Sequence, residues 1–251
     1  MLALILGAVA QDAARGEVLA GIAGCAACHA TDGIWSGGYA IETRFGTFRG
    51  PNITETGFSA ADFERALREG RSPEGRAYWP AFPYTSYTRL GDSDVGDLWA
   101  WFSTLPANDT PDRPHLGTPP RFLLSMWRAL EFRPGRFEPD PEMSGEWNRG
   151  ATLVEGPGHC GECHTPRNLI GGMRERLSLR GSRAEPEPAP DISAGGLVDW
   201  SDTDLLSFFV DGIGPDGDVV GGAMREVVLK GTSRLGEEDR RAIVTYLRTV
   251  E

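Results

Sequence analysis

The sequence predicts an all-α protein made of two tandem domains joined by a proline-rich connector that carries one short helix. Three observations predict it. The chain of 251 residues repeats itself at a nearly constant offset, each copy begins and ends on segments with helical apolar spacing, and the stretch between is broken by proline. The repeat is direct. RGEVLAGIAGCAACH (15–29) resembles RGATLVEGPGHCGECH (149–164), with one extra residue in the second. PEGRAYWPAF (73–82) matches PDGDVVGGAM (215–224) at offset 142, and RLGDSDVGDLWAWFSTL (89–105) matches RLGEEDRRAIVTYLRTV (234–250) at offset 145. Small insertions into a duplicated domain produce this drift. The expected organisation is a leader over 1–10, a first domain over 11–106, a connector over 107–147 and a second domain over 148–251.

The elements follow in order. MLALILGAVA is apolar for ten residues and ends in Ala8-Val9-Ala10, the small-x-small pattern of an export signal. No basic segment precedes it, so the leader is read as a truncated signal peptide. Ten residues fall short of the ~20 that a membrane-spanning helix needs. Each copy then opens with a short helix; Val18, Leu19 and Ile22 form its apolar side in the first. Gly16 and Gly150 in these helices would let a partner helix cross closely. Each copy closes with a helix whose apolar face is Leu98, Trp101, Phe102 and Leu105, or Ile243, Tyr246, Leu247 and Val250. Starts are expected near Ser93 and Gly236, with acids in the first turn where the helix dipole favours them. The connector is extended because of its prolines, except for RFLLSMWRALEF (121–132). That helix is expected to place Leu124, Trp127 and Leu130 between the domains and to set their orientation.

Net charge is −11, which excludes a nucleic-acid partner, since phosphate binding needs a basic surface. The acidity serves solubility or a docking face for a basic partner. Lys230 is the only lysine, so a lysine-ringed docking surface is excluded. Thirty-three glycines predict a loop-rich chain.

All four cysteines lie in two Cys-x-x-Cys-His motifs: Cys25, Cys28 and His29, then Cys160, Cys163 and His164. A disulfide within Cys-x-x-Cys closes a small strained loop and gives the histidine no role. A zinc site of four cysteines leaves both histidines idle, and a thioredoxin-like pair needs a βαβ context and no second copy. Covalent c-type haem attachment uses every residue. Positions three apart on a helical turn share a face, so both sulfurs reach the two vinyl groups of one porphyrin as thioethers, and the next histidine meets the iron. Two covalently bound haem c groups are therefore expected, with His29 and His164 as proximal iron ligands.

Beyond the motifs, FGTFRGPNIT (45–54), DFERALREG (62–70), YWPAFPYTSYTRL (78–90), WNRGATLVEGPGHCGECHTPRN (147–168) and GGAMREVV (221–228) resemble the multihaem cytochrome c subunits of bacterial periplasmic alcohol, aldehyde and gluconate dehydrogenases. The resemblance covers nearly all of the chain past the leader. It implies two class I cytochrome c domains, exported to the periplasm, that take electrons from a dehydrogenase and pass them toward quinone or an oxidase. It also implies that Met224 is the second axial ligand of the C-terminal iron. Three-haem members carry a further domain and a membrane-associating tail with no counterpart after Glu251 here, so membrane association is expected only through partners.

The first copy departs from that pattern. At offset 142 the counterpart of Met224 is Phe82, which cannot bind iron, and no methionine occurs between Met1 and Met126. The N-terminal iron is then ligated from elsewhere, by Met126 or by Tyr78, Tyr84 or Tyr87, or it is open. An open iron motivates a second reading, a peroxidase-like dihaem enzyme, although few acid–base groups are in evidence to support catalysis. His115, in the connector, and His159, beside Cys160, are not read as ligands; His159 is expected at a haem edge or the surface. Carbonyls near Pro51 and Pro190, in PNIT and PDIS, are expected to accept the proximal imidazole N–H. Arg167 is placed to hold a haem propionate or to face solvent.

Overall fold

The computed structural model describes residues 11–31, 33–54, 57–183 and 188–251; the leader expected over 1–10 lies outside them. The first repeat contains α1 (Ala13–Ile22), α2 (Cys25–His29), a hairpin of β1 (Ala40–Thr43) and β2 (Gly46–Arg49), then α3 (Ala60–Glu69), α4 (Tyr84–Tyr87) and α5 (Asp92–Phe102). A single helix, α6 (Arg121–Glu131), follows in the connecting stretch. The second repeat contains α7 (Gly145–Glu155), α8 (Gly161–His164), a hairpin of β3 (Arg180–Ser182) and β4 (Ala189–Asp191), then α9 (Asp202–Asp211), α10 (Gly222–Lys230) and α11 (Glu237–Leu247). Helix dominates as expected, and two short hairpins accompany it. Their strands span three or four residues, too short to show an alternating apolar pattern.

The same capping chemistry starts equivalent helices. Ser59 and Ser201 each accept the N–H of the residue three ahead, Asp62 or Asp204, whose carboxylate returns to the cap backbone. Helices α3 and α9 then end at Gly70 and Gly212, both in the left-handed region. The closing helices are capped by Gly91 and Gly236 and begin at Asp92 and Glu237, beside the expected starts. Asp92 and Asp94, or Glu237, Glu238 and Asp239, fill the first turn.

Each repeat is clasped by its opening and closing helices, α1 on α5 and α7 on α11. A Cβ on Gly16 would overlap the Asp97 carbonyl, and one on Gly150 would overlap that of Ala242, so the crossings require glycine. An arginine locks each clasp: Arg15 pairs with Asp94 and Asp97, and Arg149 grips Asp239 at 2.7 and 2.8 Å. Both guanidiniums keep a third or more of their side-chain surface in water, which holds each pair to ~1 kcal/mol or less. Apolar burial is the larger effect, roughly 1.5–3 kcal/mol for each enclosed side chain. One core gathers Leu19, Phe63, Leu67, Tyr87, Leu90, Leu98 and Trp101, and the other Leu153, Leu179, Leu205, Phe209, Ile243 and Leu247. Ile22, at the end of α1, belongs to the second core, so the opening helix ties both repeats together.

Helix α6 is hydrogen-bonded to both repeats. Leu124 is buried against Phe48 and Trp79, Arg128 donates to the Glu69 carbonyl at 2.6 Å, and the Trp127 indole N–H donates to the Ile170 carbonyl at 2.9 Å. Leu130, expected in that contact, is 54% exposed. Six positions after Leu124 it is rotated about 240° around the axis, away from the buried stripe.

Candidate functional site

Both Cys-x-x-Cys-His motifs form single helical turns. Cys25 opens α2 behind Gly24, whose φ is +64°, and Cys160 caps α8. The imidazole Nδ1 of His29 donates to the Pro51 carbonyl at 2.9 Å, and that of His164 to the Pro190 carbonyl at 2.8 Å. A carbonyl can only accept, so the proton is on Nδ1 and the Nε2 lone pair is left for a metal. The hairpins deliver these carbonyls. Pro190 lies in β4, and Gly50, just past β2, approaches the Cys28 carbonyl so closely that a side chain would overlap it.

The electrostatics match that role. Removal from water lowers the pKa of both histidines, partly offset by the carbonyl bonds, so the rings are neutral at pH 7. Burial, with help from the neighbouring cysteine, pushes the Cys25 and Cys160 thiols up to about 12. Zinc needs converging thiolates. Cys25 and Cys160 thiols held neutral oppose that, and among the described residues no three His, Cys, Asp or Glu side chains gather as a metal-holding group. Thioether sulfur is neutral, so two thiols on one turn with a proton-fixed imidazole beside them fit a covalently attached haem.

The second motif meets the first repeat through a polar cluster that sequence reading missed. The Glu162 carboxylate, between Cys160 and Cys163, accepts the Thr85 hydroxyl at 2.6 Å and the Ser86 hydroxyl at 2.9 Å, and pairs with Arg167. Burial works to raise its pKa, but Arg167 and the Thr85 hydroxyl outweigh it and hold the carboxyl below its usual range. His159 Nε2 lies 3.3 Å from the Ala23 carbonyl, which also accepts the Tyr87 hydroxyl. His159 is thus at the junction of the repeats, with a positive φ of 36°. The one available signal was a charged residue inside a haem-attachment motif.

Met224 is half-buried in the first turn of α10, and Phe82 is half-buried beside Tyr78 and Tyr87, with ring centroids 5.8 and 5.6 Å away. Met126 is 58% exposed, two positions after buried Leu124 and so on the opposite face of α6. The Tyr87 hydroxyl is committed to Ala23. Tyr84 is enclosed, with the Arg128 guanidinium 4.8 Å from its ring centre. His115 packs on Phe48 and accepts the Arg49 N–H at Nδ1, 3.1 Å away. Arg167 has its terminal nitrogens on the Gly171 carbonyl at 2.9 Å and on Glu162, rather than free for a propionate.

No protein-family model matches the chain. It is 42% identical over 258 residues to a protein of Cereibacter sphaeroides named "Diheme cytochrome c-type", covering 95% of this chain and 86% of that one. It is 36% identical to the fructose dehydrogenase cytochrome subunit of Gluconobacter japonicus over 94% of this chain, and 34% identical to the cytochrome c subunit of a quinone-dependent alcohol dehydrogenase of Gluconobacter oxydans over all of it. The chain spans 52% and 58% of those two longer relatives.

Proposed function

Because this chain belongs to the family of dihaem c-type cytochromes and cytochrome c subunits of bacterial dehydrogenases, we propose that it carries electrons in the periplasm from a dehydrogenase to the respiratory chain. Two haem c groups are its cofactors. The carrying observation is the pair of matching units, a cysteine pair on one turn followed by a histidine whose Nδ1–H is spent on a proline carbonyl. In this reading Cys25 and Cys28 hold one haem and Cys160 and Cys163 the other, while the Nε2 atoms of His29 and His164 bind iron. The bound haem supplies one-electron ferric–ferrous chemistry.

The protein's own work is positional. The Pro51 and Pro190 carbonyls orient the imidazoles and make them stronger donors. The Met224 thioether completes the C-terminal iron and favours its ferrous form, which suits a centre that receives electrons. Residues 11–106 and 148–251 are two class I cytochrome c domains, and the connector over 107–147 holds them through α6. Among the described residues no helix is long and apolar enough to cross a membrane, and membrane association comes through partners. The electron donor is a dehydrogenase subunit, and quinone or an oxidase is the acceptor. The relatives' names support transfer over catalysis.

Mixing the oxidised haem-loaded protein with a dehydrogenase large subunit tests this. The ferrous c-type spectrum should develop only when the dehydrogenase and its alcohol, fructose or gluconate substrate are both present. Retention of the ferric spectrum with all such enzymes, together with turnover of peroxide, would reverse the assignment.

A further inference from the structure

The two repeats share one loop down to its hydrogen bonds and then part, Phe82 lying in a turn before α4 and Met224 in the first turn of α10. In the first, Arg71 bridges Ala77, the Ser72 N–H donates to the Arg76 carbonyl at 2.9 Å, and the Tyr78 N–H donates to the Gly70 carbonyl at 2.8 Å. In the second, 142 positions on, Ile213 bridges Val219, the Gly214 N–H donates to Asp218 at 2.9 Å, and the Val220 N–H donates to Gly212 at 2.8 Å. Gly75 and Gly217 take the same left-handed turn, with φ of 79° and 84°. With the backbones matched through residues 78 and 220, Phe82 and Met224 stand four residues further on at the same offset of 142. A thioether has a lone pair to give iron, and a phenyl ring has none.

The other donors of the first repeat and the connector are engaged, turned away or kept protonated by burial, as is the Tyr84 phenol, which is buried without a hydrogen-bond partner. Met126 faces out from α6. The Tyr87 hydroxyl is on Ala23, Tyr84 is enclosed under Arg128, and His115 holds the Arg49 N–H. Tyr78 packs its ring edge-on to Phe82, and burial raises its phenol pKa, which keeps it protonated and a poor donor. Phe82 and Cys25 both pack against the first core.

We propose that the iron attached through Cys25, Cys28 and His29 binds a small neutral diatomic ligand of the carbon monoxide or nitric oxide class, at the position that Met224 takes on the other iron. The aromatic pair Phe82 and Tyr78 supplies no cation to hold an anion, which favours neutral ligands on ferrous iron. Binding makes one iron–ligand bond and moves no electron between partners. The inference rests on the reading that Met224 closes the C-terminal site.

Carbon monoxide titration of the dithionite-reduced, haem-loaded protein, followed by absorbance, tests it. One ligand should bind per two haems. Phe82→Met should abolish binding and bring up the ferric thioether charge-transfer band a second time, and Met126→Leu should leave the count at one. Should Phe82→Met fail to accumulate, Phe82→His should likewise abolish binding, with no second thioether band. No binding by the unaltered protein, or a count unmoved by the Phe82 variants, overturns the inference. Two ligands per chain would instead show that Met224 is not an iron ligand. In that case a fall to one in Phe82→Met still upholds the N-terminal site, and a count held at two rejects it. Ferric cyanide binding with no carbon monoxide binding overturns the ligand class.

Discussion

The Thr85 hydroxyl donates to the Glu162 carboxylate at 2.6 Å, joining positions 77 residues apart. This bond, with that from Ser86 and the pair with Arg167, fixes one Cys-x-x-Cys-His motif against the other repeat. Glu162→Ala should destabilise the protein by about 1.5–3 kcal/mol, the range for charge-assisted bonds. A double-mutant cycle with Thr85→Ala, read from urea midpoints, should give coupling of about 0.5 kcal/mol or more. Zero coupling would show that the contact carries no energy.

The helix crossings should be intolerant of a single methyl. Gly16→Ala and Gly150→Ala each drive a Cβ into a backbone carbonyl that cannot move without its helix. Each should cost at least the roughly 1–3 kcal/mol typical of overpacking, and Gly145→Ala, with open space around it, serves as the tolerant control. Equal denaturation midpoints for Gly150→Ala and Gly145→Ala would contradict the crossing geometry.

How much of this was legible depended on whether the signal was local. The two motifs and the closing helices rest on spacings of three to seven residues, and the repeat on whole segments matched at offsets of 142 and 145, all of which the sequence displays openly. The proline carbonyls facing His29 and His164 were also legible, because PNIT and PDIS recur at matching places. Glu162, Thr85 and His159 were not, because single polar residues meeting across 77 and 136 positions leave no periodic trace. The hairpins escaped for a different reason. They present carbonyls to histidines with strands too short to alternate. Leu130 misled because RFLLSMWRALEF carries more apolar residues than one face of α6 can bury.

Met224→Ala should lower the potential of the C-terminal haem. Axial ligands set haem potentials over a span of about 0.8 V, so a fall on the order of a tenth of a volt or more is expected in a redox titration. An unchanged potential would remove Met224 from the iron.

Acid sensitivity should follow the two capping boxes. The Ser59 and Ser201 hydroxyls, and then the cap backbone, hold Asp62 and Asp204 below their ordinary pKa. Their contribution is therefore full above the unfolded carboxylate value and is lost as pH falls through the lower folded one. The double variant Asp62→Asn/Asp204→Asn should show a flatter loss of helical circular dichroism below about pH 4. An unchanged acid limb would assign that loss to other carboxylates.

The most direct measurement is the mass of the denatured chain, matured in a host that attaches c-type haem, before and after acid–acetone treatment. Two haem masses that survive extraction, falling to one in Cys160→Ala/Cys163→Ala, are what four thioether bonds require. A bare polypeptide mass, or pigment that leaves with the solvent, would contradict the account at its root.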